Sequence, residues 1–264
     1  MLESLDFPAI KETGRMNIEY YKEYSRHLGR DMEFKVYGSG GKPALVFPCQ
    51  NGRFFDWEGF GMLETLGDYL EGGKLQLFTV DSIDAETVSD REGRHPYDRV
   101  RLHEAWFQYV MEELLPRVRE INGTGQDLLS TGFSMGAYHA GNFFFRRPDV
   151  FDSLIALSGV YETQDMYGGY MDEVVYLNDP KASIANMPAD HPYIRLYNQR
   201  KIMICVGQGA WEDQLLAATR RFDAVLREKG VNAWVDYWGL DVNHDWPWWK
   251  KQIRYFLPNI IGNP

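Results

Sequence analysis

Short apolar runs alternate with amphipathic stretches along most of the chain. Two β-rich runs come first, near Ile18–Ser25 and Met32–Tyr37, joined by the turn-like His27-Leu28-Gly29-Arg30-Asp31. This pattern predicts a hairpin. Pro43–Phe47 is apolar throughout and bounded by Gly, Lys and Pro, which predicts a buried strand. A helix is expected around Gly61–Glu71, followed by a strand over Leu75–Val80 that ends at Asp81. Within Arg99–Glu120, Trp106, Val110 and Leu114 recur every four residues, so the segment reads as helix, kinked or broken at Pro116. Asp127–Thr131, Ser153–Leu157 and Lys201–Val206 read as strands, and Ala137–Arg147 reads as a helix ended by Pro148. In Gln214–Lys229, the residues Leu215, Ala218, Phe222, Val225 and Leu226 share one helical face, with Gly230 as the stop. Ala233–Tyr237 reads as the last strand and Trp248–Phe256 as the final helix.

Strands alternating with helices at this spacing predict an α/β fold. The sheet is expected to be mostly parallel and twisted, with helices on both faces and the N-terminal antiparallel hairpin at one edge. No internal repeat, low-complexity tract or linker interrupts the pattern, so residues 1–264 read as one domain. Periodicity weakens over about 160–199, which contains Gly168-Gly169 and several aromatics. That stretch reads as a lid or substrate-side insertion, because long loops in compact domains are usually functional.

Charge narrows the class. The 28 Lys and Arg against 38 Asp and Glu leave a net charge of −10, which argues against an electrostatic nucleic-acid binder. No apolar run approaches the roughly 18–20 residues of a membrane span. Met1–Ile10 lacks a basic stretch followed by an apolar one, so no secretion signal is read and the expected location is cytoplasmic. Cys49 and Cys205 lie far apart and form no CxxC, which suits two reduced thiols. Asn122-Gly123-Thr124 matches a glycosylation sequon and reads here as a turn. Aromatics at 15% favour a large core and an aromatic-lined site.

The chemistry centres on Gly132-Phe133-Ser134-Met135-Gly136, a Gly-x-Ser-x-Gly sequence between a predicted strand and a predicted helix. That context is what a nucleophile elbow requires, with the Ser134 hydroxyl held above the sheet edge at a helix N-terminus. A serine hydroxyl needs a base. The chain order serine, acid, histidine leaves His191 and His244, and His244 follows the last strand at the carboxyl edge, where ligands collect in open sheets. The acid belongs on the loop after Lys201–Val206, where Glu212 and Asp213 are adjacent. Glu212 is favoured because Asp213 suits the N-cap of the following helix, with Asp213 the alternative. One oxyanion donor is expected at Met135 and a second at Asn51 or Gly52, on the loop after Pro43–Phe47. Cys49 competes as a nucleophile but has no elbow around it.

Loops at the same edge carry Arg53, Phe54, Phe55, Trp57, Tyr161, Tyr167, Tyr170, Trp211 and Trp246. Of these, Arg53, Phe55, Trp57, Trp211 and Trp246 are the substrate-binding candidates. Their rings could stack on an aryl or sugar group, while Arg53 meets a substrate carboxylate or pairs with Asp56.

Four blocks carry a family resemblance. They are Gly132–Ala137, Asn51–Gly59 after the early strand, Gly207–Glu212, and Asn243–Trp249. Together they make the chain resemble the esterase family of α/β-hydrolases that contains esterase D-like, feruloyl-esterase-like and mycolyltransferase-like proteins. The resemblance implies an α/β-hydrolase fold and a carboxylesterase-type serine hydrolase using a Ser-acid-His triad, without metal or organic cofactor. It assigns Ser134 as nucleophile, His244 as base and Glu212 or Asp213 as acid. It draws the oxyanion donors from Met135 and the Asn51–Gly52 turn. The His-Gly-Gly-Gly oxyanion motif of many lipases is absent. The implied partner is a small-molecule ester, with a homo-oligomer allowed. The alternatives are an acyltransferase on the same machinery and a catalytically silent binding module of the same fold.

Overall fold

The computed structural model describes residues 16–264; the reading of Met1–Ile10 lies outside the described residues. Eight strands form one sheet: β1 (Ile18–Ser25), β2 (Arg30–Tyr37), β3 (Lys42–Phe47), β4 (Leu75–Val80), β5 (Leu128–Phe133), β6 (Phe151–Leu157), β7 (Lys201–Val206) and β8 (Trp234–Tyr237). Their order is β1-β2-β4-β3-β5-β6-β7-β8. β1 and β2 pair antiparallel from Ile18↔Tyr37 to Ser25↔Arg30, and β2 joins β4 antiparallel. From β4 to β8 every pairing is parallel. The sheet is therefore the mostly parallel one expected, with its hairpin at one edge.

Burial explains the strand sequences. Every residue of β3, β4 and β5 is buried, because helices cover both faces and apolar side chains are needed on each. Successive residues divide between the two faces. Leu45 and Phe47 join a core containing Trp106, Val110, Phe143, Phe144 and Phe222. Ala44 and Val46 join the opposite core, with Trp57, Met62, Leu66, Trp249 and Phe256. The exposed edge strand β1 instead alternates exposed and half-buried positions.

Three segments differ from the sequence reading. The helix expected at Gly61–Glu71 is two short helices, Met62–Thr65 and Gly67–Glu71, preceded by Asp56–Gly59. Gly59, Gly61 and Gly67 punctuate this stretch, and glycine disfavours a continuous helix. The segment read as Arg99–Glu120 starts earlier, at Pro96. His95 caps it by accepting from the Tyr97 N–H at 3.2 Å. The helix then widens into a π-turn over Val110–Leu114 and resumes as Leu115–Asn122. Pro116 has no N–H to donate and its ring crowds the carbonyl four residues back, which the wider turn relieves. The weakly periodic stretch contains four short helices: Gln164–Tyr167, Glu173–Leu177, Pro180–Ala185 and Pro192–Tyr197. Asp172 and Asp179 cap two of them, and Tyr161, Tyr167 and Tyr197 are buried beneath. Among the described residues no helix is long and apolar enough to cross a membrane.

Candidate active site

β5 runs to Phe133, and the helix Met135–Arg146 begins at once. Ser134 alone makes the turn, at φ 56° and ψ −123°. A non-glycine residue held there is strained, and the surroundings enforce it. The Ser134 N–H donates to Leu157 O at 2.9 Å. Both flanking glycines are required sterically. A Cβ on Gly132 would lie 2.3 Å from Gly136 O, and one on Gly136 would lie 2.4 Å from Phe47 O. The strand thus passes directly into the helix, with the serine side chain projecting at the carboxyl edge.

His244 reaches this point from the loop after β8. Its Nε2 lies 2.9 Å from Ser134 Oγ. Its backbone N–H donates to Ala210 O at 3.0 Å, and Asn243 Oδ1 accepts from the Ala210 N–H at 2.8 Å. These bonds fasten the histidine loop to the acid loop. Trp249 packs edge-on against the imidazole, with ring centroids 4.9 Å apart.

Glu212 is fully buried, and its Oε2 lies 3.5 Å from His244 Nδ1. That is long for a hydrogen bond, yet neither atom has another partner among the described residues. Catalytic contacts are often loose until substrate binds. The other oxygen, Oε1, accepts from Ser158 Oγ at 2.6 Å, and Ser158 Oγ accepts from Trp249 Nε1 at 3.2 Å. Ser158 follows β6 directly and is itself at φ 56°. Sequence reading missed Ser158 and Trp249. The only available signal was a Ser-Gly pair at the end of a buried strand. Asp213 is exposed and opens the helix Asp213–Glu228, with Glu212 as N-cap residue and no side-chain cap. Glu212 therefore faces the histidine, but not because Asp213 caps the helix.

The oxyanion loop requires a correction. The Gly52 N–H donates to Cys49 O at 2.8 Å and the Asn51 N–H to Asp84 Oδ2 at 3.3 Å. Both groups assigned from sequence are thus already engaged, one inside the turn and one with the distant Asp84 carboxyl. Gly52 is glycine because a Cβ would sit 2.4 Å from Asp56 Oδ2. Among the described residues the Gln50 backbone N–H has no partner, and Gln50 lines a cavity together with Ser134 and Met135.

Two hollows meet at Ser134. One, of about 370 Å³, is lined by Gln50, Met135, Val160, Met166, Leu215 and Ala218, with Arg91, Glu162, Asp165 and Arg221 among its charged residues. The other, of about 380 Å³, is lined by Trp211, Asp213, Gln214, Leu215 and His244. Of the five substrate-binding candidates only Trp211 lines either hollow; it is 85% exposed, at φ 68°. Trp57 is buried and stacked on Phe133. Trp246 stacks on Phe60 at 4.4 Å. Phe55 packs edge-on against Phe54, away from both hollows. Arg53 pairs with Asp81 at 2.7 Å and Glu33 at 2.8 Å, not with Asp56. Tyr161 and Tyr167 are core residues, and Tyr170 donates to Asp172. Residue type alone could not separate an inward-facing ring from a cleft-facing one.

The competing groups have other roles. His191 accepts from the Tyr193 N–H at 3.1 Å as a helix cap. Burial, with Asp56 and Asp84 nearby, pushes the Cys49 thiol up to about 12, so it is not a thiolate near neutral pH. Among the described residues no group of three or more His, Cys, Asp or Glu side chains is placed to hold a metal ion.

The family model described as "Putative esterase" matches residues 25–260. No curated protein matches the chain by sequence. Solved structures share the fold at low identity. A ferulic acid esterase superposes with a TM-score of 0.73 at 15% identity, covering 94% of this chain and 99% of its own. An S-formylglutathione hydrolase from Staphylococcus aureus gives 0.70 at 16% identity, covering 96% and 100%. Another, from Agrobacterium tumefaciens, gives 0.66 at 15% identity, covering 93% and 95%. With its α/β-hydrolase-type sheet and a family match over most of its length, the chain belongs to this esterase family.

Proposed function

We propose that the chain hydrolyses small carboxylic esters through an acyl-enzyme formed on Ser134, with His244 as general base and Glu212 as the acid that orients it. The observation that carries this reading is the 2.9 Å contact between Ser134 Oγ and His244 Nε2, made by a serine on a strained bend at φ 56°. As Oγ attacks the ester carbonyl, its proton passes to His244 Nε2. The carbonyl oxygen takes up the negative charge between the Met135 and Gln50 N–H groups. Glu212 keeps the imidazole in the tautomer that accepts at Nε2 and stabilises the imidazolium without taking the proton. The imidazolium then protonates the departing alkoxide, and water repeats the sequence in reverse to release the acid.

Proton delivery also orients the substrate. The leaving oxygen must lie within reach of Nε2, so the alcohol part occupies the His244 and Trp211 hollow. The acyl part occupies the hollow lined by Met135, Val160 and Leu215. An exposed indole beside the leaving group suits an aryl or sugar alcohol.

A fluorophosphonate probe combined with a panel of p-nitrophenyl, acetylated-sugar and feruloyl esters tests the reading. The expected result is labelling and turnover in the wild type and neither in Ser134→Ala. Labelling that persists in Ser134→Ala would overturn it. Adding an acceptor alcohol and following product partition separates hydrolysis from acyl transfer.

A further inference from the structure

Three buried titratable side chains have no part in the chemistry above: Asp84, His139 and His103, all at 1% exposure or less. They form a line. Asp84 Oδ1 lies 2.8 Å from His139 Nε2, and His139 Nδ1 lies 3.5 Å from His103 Nε2. Burial, then the neighbouring His139 and Arg146, hold His103 well below the ordinary histidine range. A neutral His103 donates from one nitrogen only. If that nitrogen is Nε2, His139 accepts at Nδ1 and donates from Nε2 to Asp84. His103 Nδ1 is then a bare acceptor, in keeping with its lack of a partner among the described residues. The aromatic rings of Phe47, Trp106 and Tyr138 pack around His139.

The line ends at the catalytic edge. The second carboxyl oxygen, Asp84 Oδ2, accepts from the Asn51 N–H. Asn51 follows Gln50 and, among the described residues, is one of four non-glycine residues at positive φ, at 57°. His139 stands five residues after Ser134, on the helix that opens with Met135. One carboxyl group therefore touches both the helix that opens with Met135, through His139, and the residue after Gln50, through the Asn51 N–H. Asp84 is itself anchored: its carbonyl accepts from the Thr87 and Ser89 N–H groups at 3.0 and 2.9 Å.

We infer that Asp84, oriented by His139, is a positioning residue that sets the separation of the Met135 and Gln50 N–H groups and so their fit to the oxyanion. The inference rests on reading those two groups as the oxyanion donors.

The test compares Asp84→Ala, Asp84→Asn and Ser134→Ala with the wild type, counting active sites by fluorophosphonate. Asp84→Ala should lower kcat between about tenfold and the roughly 100-fold of a lost oxyanion donor, with KM nearly constant. Its affinity for a trifluoromethyl ketone, which forms a tetrahedral adduct, should weaken in parallel. Asp84→Asn should recover part of the loss, since its amide oxygen can still accept from the Asn51 N–H, while its NH2 can donate to His139 Nε2 only once the His139 and His103 tautomers shift. Wild-type kcat in Asp84→Ala, a loss confined to KM or to Tm, or Asp84→Asn as damaged as Asp84→Ala would each overturn the inference. If Asp84→Ala does not fold, His139→Gln, which keeps a donor, should outperform His139→Leu in kcat, and equal rates would overturn it. Turnover surviving in Ser134→Ala would mean instead that the catalytic reading has failed.

Discussion

In the links that enter the parallel strands at the amino edge, left-handed turns fall on Gly38, Gly41, Gly73, Gly123, Gly125 and Gly230; within five residues after the carboxyl ends of β3, β5, β6 and β7 they fall on Asn51, Ser134, Ser158 and Trp211, while Gly29 in the β1–β2 hairpin and Gly61, Gly168, Gly169 and Gly262 beside the helices lie outside both sets. The backbone problem is the same at both edges, since each strand must turn sharply to leave the sheet. At the amino edge the side chain has no task, so the residue without a Cβ is used at no steric cost. At the carboxyl edge all four positions carry a side chain in a conformation that costs on the order of 1–3 kcal/mol each, less for asparagine, which tolerates it best. Two of the four, Ser134 and Ser158, hydrogen-bond within the proposed triad and its support. Strain is concentrated where a side chain must stand at a fixed point above the sheet, and absent where only the path of the chain matters.

The comparison breaks most severely at Ser134. Ser134→Ala keeps the bend and removes the hydroxyl, and kcat is expected to fall by about 10³–10⁶-fold, read with a chromogenic ester at equal folded protein. Retained turnover would mean that the strained bend serves no chemistry. Glu212→Gln is expected to cost roughly 10⁴-fold in kcat, in the range for loss of a triad carboxylate. Asp213→Asn, on an exposed residue one position later, should cost far less. A larger loss in Asp213→Asn would reassign the acid.

Ser158→Ala isolates one hydrogen bond at the same edge. The hydroxyl donates to Glu212 and accepts from Trp249. A bond to a charged group is worth about 1.5–3 kcal/mol, and each 1.4 kcal/mol is tenfold in rate, so kcat should fall by roughly 10–100-fold if the bond is fully expressed in the transition state. Ser158→Thr should recover part of that. A change in thermal stability alone, with kcat intact, would make Ser158 a packing residue.

How far the sequence disclosed this arrangement follows the same division. The parallel sheet was legible because β3, β4 and β5 carry apolar residues at both odd and even positions, a pattern only two-sided burial requires. That Ser134, His244 and Glu212 come together was readable because strand, turn and helix succeed one another locally and the loop order is conveyed by the chain. The second oxyanion donor was not. Whether Gln50, Asn51 or Gly52 offers a free N–H depends on the Cys49 carbonyl and on Asp84, 33 residues away from Asn51. Nor were the aromatics: Trp57, Trp211 and Trp246 all lie near strand ends, and only packing decides that the first stacks on Phe133 while the second stands in solvent.

The mildest test is at the amino edge. Gly230 is exposed at φ 68°, and a Cβ built on it meets nothing within 4 Å. Gly230→Ala therefore adds backbone strain without a clash. For an L-residue that strain is about 1–2 kcal/mol, which for a chain of this size lowers Tm by a few degrees, roughly 2–4 °C per kcal/mol. Because no catalytic side chain depends on that turn, kcat and KM should be unchanged below the transition. The effect is smaller than at the carboxyl edge and different in kind, since it falls on stability and leaves chemistry alone. A Gly230→Ala protein with wild-type Tm would show that left-handed turns cost little in this fold. Glycine at one edge and side chains at the other would then be a matter of chance, and strain would no longer mark the working edge.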